Sequence, residues 1–344
     1  MPDITAERIE LVHGEGGARS RELVEQILVR AFDNPELNRL EDQARIELAG
    51  LMSQGDRLAF TTDSYVVEPV EFPGGNIGTL AVNGTLNDLA VGGARPRFLS
   101  CGLILEEGLE LALLQRVINS MAEAARDAGV AIVTGDTKVV PRGKADKLFI
   151  NTSGIGVIPT NVDLSAAHCQ PGDVILINGF MGDHGAAILQ ARGELALEAN
   201  VYTDCQSLHT LVSAMLAVCP DIHAMRDATR GGVATVLSEF AQASSVGICL
   251  QESELPVRPQ VRGMCEILGL EPLYLANEGK LVAVVPRQSA SRVLEAMQRH
   301  PAGQHAAIIG QVTAELPGKV QLANAFGSSR LLEPLAGEQL PRIC

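Results

Sequence analysis

Apolar runs of strand length alternate with amphipathic helical stretches along most of this chain, which restricts it to layered α/β architectures. Residues 20–32 space Leu23, Ile27 and Leu28 at helical intervals with charges between them. Strand-like runs follow at 58–61 and 98–105. Residues 110–128 put Leu114, Val117, Ile118, Met121 and Ala125 on one stripe, which Gly129 can terminate. Two further strand-like runs, 130–133 and 148–158, close the first half. A polar, turn-rich stretch over 159–172 leads into Gln170-Pro171-Gly172-Asp173 and marks a boundary. The second half restarts at 174–177, is helical near 205–218 and 231–243, and returns to strands at 280–285 and 306–312. No repeat of fixed period is present. After Leu332 periodicity ends, and Pro334, Gly337 and Pro341 make the rest a poor helix or central strand. The expected organisation is residues 1–160, residues 161–331, and a flexible tail, 332–344, that carries Cys344.

Size and composition narrow the function classes. A chain of 344 residues exceeds one ordinary core and suits two average domains. The formal charge of −14 argues against a nucleic-acid backbone as partner, because such binding needs a surplus of Lys and Arg. No basic segment followed by an apolar one opens the chain, and no apolar run approaches the roughly 18 residues of a membrane span. Seven cysteines without a C-x-x-C pair fit a reducing compartment better than a disulfide framework or structural zinc. These features predict a cytoplasmic protein with no membrane partner. Cys101, Cys169, Cys205, Cys219, Cys249 and Cys265 read as small buried hydrophobes.

Several apolar or small-residue runs lead to an aspartate. Asp63 lies in Thr61-Thr62-Asp63-Ser64, Asp136 in Thr134-Gly135-Asp136-Thr137-Lys138, and Asp227 in Arg226-Asp227-Ala228-Thr229-Arg230-Gly231-Gly232. Asp88 joins them, on a helix expected to begin near Asn83. Any one of the four could cap a helix or a turn. Converging on one cleft, they would raise one another's pKa unless a cation compensates. Hard oxygen ligands select Mg²⁺, which is commonly held by a few carboxylates and the phosphates of a nucleotide. Lys138, two residues beyond Asp136, would share its side of an extended segment and could meet a phosphate. Gly231-Gly232 opening a helix offers backbone N–H groups to an anion. There is no P-loop signature, and His13-Gly14-Glu15-Gly16-Gly17 is a weak signal by itself.

The terminal cysteine is an inert thiol on a frayed end or a working group. It is not a prenylation box, which needs Cys four residues from the end. The neighbouring α-carboxylate disfavours thiolate while Arg342 favours it. The residues after Leu332 could span about 40 Å when extended, enough for one thiol to visit an internal site and an outside partner.

The ordered set of these segments resembles the HypE family of NiFe-hydrogenase maturation proteins, within the aminoimidazole ribonucleotide synthetase-like ATP enzymes. The resemblance also takes in Pro73-Gly74-Gly75-Asn76-Ile77-Gly78, Asn87-Asp88, Ala276-Asn277-Glu278-Gly279-Lys280 and the terminal Pro341-Arg342-Ile343-Cys344. It implies a two-domain α/β (α+β) fold in which the N-terminal sheet pairs across a homodimer into a barrel. ATP would lie in the cleft between the domains, with Gly135, Asp136, Thr137, Lys138, Gly231 and Gly232 as its contacts. Asp63, Asp88, Asp136 and Asp227 would hold Mg²⁺. The implied cargo is a carbamoyl group delivered from carbamoyl phosphate to Cys344 by a separate carbamoyltransferase. ATP would then dehydrate it to S-cyano-cysteine, with Lys138 offsetting phosphoryl charge and Glu278 taking protons. The cyano group would pass to iron-carrying hydrogenase maturation scaffold proteins. Without the resemblance, Glu278 reads as a turn residue paired with Lys280. A selenophosphate synthetase is the nearest rival, but such enzymes present a reactive Cys or selenocysteine on an N-terminal loop, and no Cys precedes Cys101. A non-catalytic adaptor offering its tail would have no need of the aspartates.

Overall fold

The computed structural model describes residues 7–193 and 200–333, together with 335, 337, 340 and 342–344. Of the expected tail, residues 334, 336, 338, 339 and 341 lie outside the described set.

The first lobe is a four-stranded sheet covered on one face by two helices. Its elements are β1 (Arg57–Tyr65), α1 (Ile77–Val91), β2 (Arg95–Glu106), α2 (Leu111–Asp127), β3 (Ala131–Val140) and β4 (Leu148–Ile158). The strand order is β1-β4-β2-β3. Only β2 and β3 run parallel, joined by the crossover helix α2. The Asn76 side chain starts α1 by accepting from Gly78 N at 2.9 Å and Thr79 N at 3.1 Å. That helix has almost no polar face: of its residues only Thr79 and Asp88 escape full burial. It is therefore sandwiched between sheet and neighbouring helices. Gly84 permits the close approach, since a Cβ there would stand 2.3 Å from the Tyr65 hydroxyl.

Strand bounds differ from the sequence reading in a way that matters. The run read as 58–61 extends to Tyr65 and the run read as 130–133 extends to Val140, so Asp63 and Asp136 sit inside strands rather than in loops beyond them. Polar residues at alternate positions interrupt the apolar pattern there because one face of each strand is open. Asp88 likewise lies near the end of a helix that begins at Ile77, not near Asn83.

The second lobe is a seven-stranded sheet with helices on both faces. Its strands are β5 (Val174–Ile177), β6 (Ala224–Asp227), β7 (Gly247–Gln251), β8 (Leu281–Val285), β9 (Ala307–Thr313), β10 (Val320–Ala323) and β11 (Ser329–Leu332). They run in the order β11-β10-β7-β9-β5-β8-β6. The helices bearing on the site are α3 (Asp183–Arg192), α4 (His209–Val218) and α5 (Gly232–Ala243). Strand β8 is buried at every position, as befits a strand covered on both faces. The helix expected from 205 starts at His209, because Asn87 Oδ1 takes the Leu208 N–H at 2.8 Å and holds residues 203–208 in an irregular bridge between the lobes.

That bridge carries a buried ion pair. Asp204 and Lys280 have side chains 3% and 7% exposed and meet at 3.0 Å, so Lys280 pairs with Asp204 rather than with Glu278. Burial opposes ionisation of Asp204, but Lys280 and the other nearby donors hold its carboxyl below the usual range. Asp204→Ala would strand the buried ammonium. It is expected to cost about 3–5 kcal/mol in urea unfolding, and a loss under about 1 kcal/mol would mean the pair is dispensable.

The chain end is docked, in contrast to the free arm that its composition suggests. Leu332 is buried, and Ile343, 3% exposed, joins the core of the first lobe. Val66 N donates to Cys344 O at 3.2 Å and Glu68 N to Arg342 O at 3.2 Å, an antiparallel pairing of the last residues with the segment after β1. Arg342 Nη1 also pairs with Asp146 Oδ2 at 2.6 Å. An apolar side chain and backbone pairing on an otherwise open edge outweigh the turn-forming residues upstream.

Candidate functional site

Asp63, Asp88 and Asp227 meet where the lobes face one another. Asp63 stands on the α1 side of β1, opposite the buried Thr152 of β4. Asp88, one turn from the end of α1, accepts from Thr61 Oγ1 at 3.0 Å. Asp227 ends β6, cross-strand from Leu281. Asp88 and Asp227 line a cavity of about 610 Å³ together with Thr61, Arg226, Thr229 and Arg230. Burial raises the Asp88 carboxyl, and Asp63 raises it further. Burial, with Asp88 and Asp63, pushes Asp227 up to about 7. Carboxylates that resist ionisation for these reasons are short of a cation.

Glu278 belongs to the same electrostatic group. It is 3% exposed, and its Oε1 has no hydrogen-bond partner. Burial pushes its pKa well above the ordinary carboxyl range, and Asp227, Asp204, Asp63 and Asp88 push it further. Its main chain is tightly held. Glu278 N donates to Asp204 Oδ1 at 3.1 Å, Gly279 N to Asp204 Oδ2 at 3.3 Å, and Asn87 Nδ2 to Glu278 O at 3.3 Å. A Cβ at Gly279 would stand 1.9 Å from the Asp204 carbonyl oxygen, so glycine is required for this approach. A buried carboxyl with one unpartnered oxygen, on a backbone fixed from two sides, is what proton transfer in a closed site needs.

Gly231 and Gly232 turn the chain from β6 into α5. Both have positive φ, 77° and 62°, and a Cβ at Gly232 would stand 2.4 Å from Leu273 O. Gly231 is an N-cap without a capping side chain, which leaves the helix start open to an anion. A smaller cavity of about 190 Å³ joins Arg230, Gly231, Ala276 and Ile343. The docked chain end is thus against this turn. Cys344 is also one residue in register from Tyr65, whose hydroxyl is held un-ionised by burial and by Asp63 and Glu278.

Asp136 and Lys138 are elsewhere. Asp63, Thr152, Cys101 and Gly135 lie in one cross-strand row, so Asp63 and Gly135 are three strand spacings, about 14 Å, apart. Asp136 pairs in register with Gly102, and side-chain alternation turns it to the opposite, open face from Asp63. Its partner is Lys138, at 2.7 Å, whose hydrogen bond holds the Asp136 carboxyl below its usual range. Within one subunit, three of the four expected metal ligands converge and Asp136 does not. Asp136, Thr137 and Lys138 instead rim a cavity of about 290 Å³ with Gly14, Gly16 and the apolar Phe32. Gly14 fits there only as glycine, since a Cβ would meet Val139 Cβ at 2.8 Å.

Oxygen donors of this kind suit a hard cation such as Mg²⁺, but among the described residues no three His, Cys, Asp or Glu side chains are grouped closely enough to hold a metal ion by themselves. A site completed by the phosphates of a nucleotide has this open character. Sequence reasoning missed Asp204 and His184, and paired Lys280 with Glu278 instead of Asp204. Lys280, a charge immediately before the wholly apolar strand β8, was the signal available.

Residues 41–158 match the N-terminal domain model of AIR synthase related proteins, and residues 170–323 match the C-terminal domain model. The carbamoyl dehydratase HypE of Rhodobacter capsulatus is 54% identical over 338 residues, covering 98% of each chain. A solved hydrogenase maturation protein HypE in complex with ATP superposes with a TM-score of 0.92 at 50% identity, over 97% of this chain and 99% of that one. A HypE–HypF complex superposes at 0.79 and 43% identity, over 93% of this chain and all of the matched chain.

Proposed function

The chain belongs to the HypE family of carbamoyl dehydratases, and from that premise we propose that it dehydrates a carbamoyl group on its own Cys344, with ATP, to S-cyano-cysteine. The cyano group then serves as a cyanide ligand in hydrogenase maturation. The observation that carries this reading is the docked end: Ile343 shares a cavity with Arg230 and Gly231, and Cys344 accepts from Val66 N, next in sequence to Tyr65, whose hydroxyl lies within electrostatic reach of Glu278.

The thiocarbamate oxygen attacks the γ-phosphorus of ATP, and ADP leaves. Loss of protons from nitrogen, with departure of phosphate, then forms the carbon–nitrogen triple bond. The balance is thiocarbamate plus ATP to thiocyanate, ADP, phosphate and one proton. Glu278, made basic by its environment, accepts a proton from nitrogen. Lys138 offsets charge on the transferred phosphoryl group. Mg²⁺, when bound, neutralises phosphate charge, and Asp63, Asp88 and Asp227 are its holders. Gly135, Asp136, Thr137, Gly231 and Gly232 contact the nucleotide.

Two features support a homodimer. The face of the first sheet away from α1 exposes Leu58 and Phe60, 57% and 72% accessible. The Asp136–Lys138 pair lies on that same open face, away from the acidic group of its own subunit, where a second copy would cover it. The solved complex of a relative with HypF supports a partner that loads the tail, here taken to be the carbamoyltransferase. Iron-carrying scaffold proteins would accept the cyanide.

The test incubates the protein with carbamoyl phosphate, the carbamoyltransferase and ATP, and maps tail adducts by mass spectrometry. A cyano adduct on Cys344 that needs hydrolysable ATP is expected. Absence of any ATP-dependent tail adduct would sink the proposal. In the same assay Lys138→Ala should keep its carbamoyl group and lose about 10²-fold or more in dehydration rate. Normal cyanide formation by that variant would remove Lys138 from the mechanism.

A further inference from the structure

Main-chain oxygens of the last three residues hold the tail, beside the Ile343 side chain in the core and the Arg342–Asp146 pair. The carbonyl groups of Arg342 and Ile343 and the terminal carboxylate of Cys344 all accept hydrogen bonds: from Glu68 N and Arg192 Nη2, from His184 Nε2, and from Val66 N, respectively. None of these bonds uses the thiol.

His184 is the central member of this grip. It is fully buried on α3, packed edge-on against Phe72 with ring centroids 5.5 Å apart. Its Nε2 lies 2.8 Å from Ile343 O and its Nδ1 2.8 Å from Thr203 Oγ1. A carbonyl only accepts, so Nε2 carries the hydrogen; burial favours the neutral ring, so Nδ1 accepts from the threonine hydroxyl. Thr203 in turn is fixed by its own N–H on Pro73 O at 2.9 Å and by the Cys205 N–H on Oγ1 at 3.1 Å. The next residue, Asp204, holds the N–H groups of Glu278 and Gly279. One three-residue segment, 203–205, therefore braces the histidine that grips the tail and the loop that carries Glu278.

We infer that His184 is a positioning residue for the dehydration: its Nε2–H fixes the Ile343 carbonyl and so sets where Cys344 stands relative to Glu278, through the shared brace at 203–205. This rests on the reading of Cys344 as carrier and Glu278 as base. The geometry makes the histidine act on the reacting group through the peptide before it.

The test compares the full-length protein with His184→Phe, which keeps an aromatic ring against Phe72 but removes the donor, and with His184→Gln, which restores an N–H. Each is carbamoylated on Cys344 and mixed with saturating ATP in a single turnover. The phenylalanine variant should dehydrate about ten- to hundredfold more slowly, with ATP half-saturation unchanged, and the glutamine variant should recover most of the rate. Independently, alkylation of unloaded Cys344 by a small thiol reagent should be about tenfold faster in His184→Phe, because the docked end is released more often. Parent-like rate and parent-like alkylation in His184→Phe would overturn the inference. So would a loss that extends equally to ATP affinity and that glutamine does not recover, which is the mark of a merely structural residue. If the parent itself forms no cyano adduct, the proposed function fails instead, and the alkylation comparison still decides whether His184 holds the tail.

Discussion

Cys344→Ala is expected to abolish thiocarbamate and cyanide formation completely while leaving the fold and nucleotide binding intact. Removing a carrier atom deletes the covalent substrate itself, so no residual rate survives of the kind that remains when a base or a charge is lost. The fold should tolerate the change because the docked end is held by main-chain carbonyls and by the Ile343 side chain in the core. Mass spectrometry of the tail after incubation with the carbamoyltransferase, carbamoyl phosphate and ATP measures the loss. Thermal unfolding with and without ATP measures the retention. An ATP-dependent cyano adduct at any other cysteine of the variant would show that the carrier is not at the terminus.

Glu278→Gln is expected to slow dehydration by about 10²–10⁴-fold and at the same time stabilise the protein. The two effects have one cause. Glu278 is buried, its Oε1 lacks a partner, and burial together with four neighbouring aspartates raises its pKa well above the ordinary value. Below the carboxyl pKa of the unfolded chain, about 4.3, both states are protonated and Glu278 imposes no penalty. As pH rises above that value the unfolded chain releases its proton while the folded one retains it, so stability falls until the folded pKa is passed. Glutamine does not titrate. The variant should therefore match the parent near pH 4 and gain on the order of 1–3 kcal/mol by pH 8, read from urea unfolding without nucleotide. A variant as active as the parent would exclude Glu278 as base. One that is less stable at every pH would mean that the carboxyl is satisfied in the free protein. A site group that costs stability in order to hold a proton-accepting carboxylate is a common compromise of catalysis.

How legible the site was depended on distance along the chain. The Arg226–Gly232 segment could be picked out because a glycine turn leaves a local mark, whereas the helix carrying Asp88 begins at Ile77 and not near Asn83. The pairing of Lys280 with Asp204 left none, since 76 positions separate two residues that each look like ordinary surface charges. The grip of His184 on Ile343 spans 159 positions. Asp136 was read together with Asp63 because both follow apolar or small residues. Their separation depends on which strands lie between them and on which face each side chain takes, and both follow from register.

The amino-acid sequence by itself determined the alternation of strands and helices, the two-lobed α/β organisation, the acidic net charge and the identity of the motifs. These are properties of local periodicity, turn chemistry and composition, which act over a few residues and survive without tertiary contacts. Only the tertiary structure decided that Asp63, Asp88, Asp227 and Glu278 form one group without Asp136, and that the last residues are docked. Those outcomes depend on sheet order, strand register and the burial of one isoleucine at the end of the chain. Each is set by contacts between segments far apart in sequence, whose free energies no local pattern records.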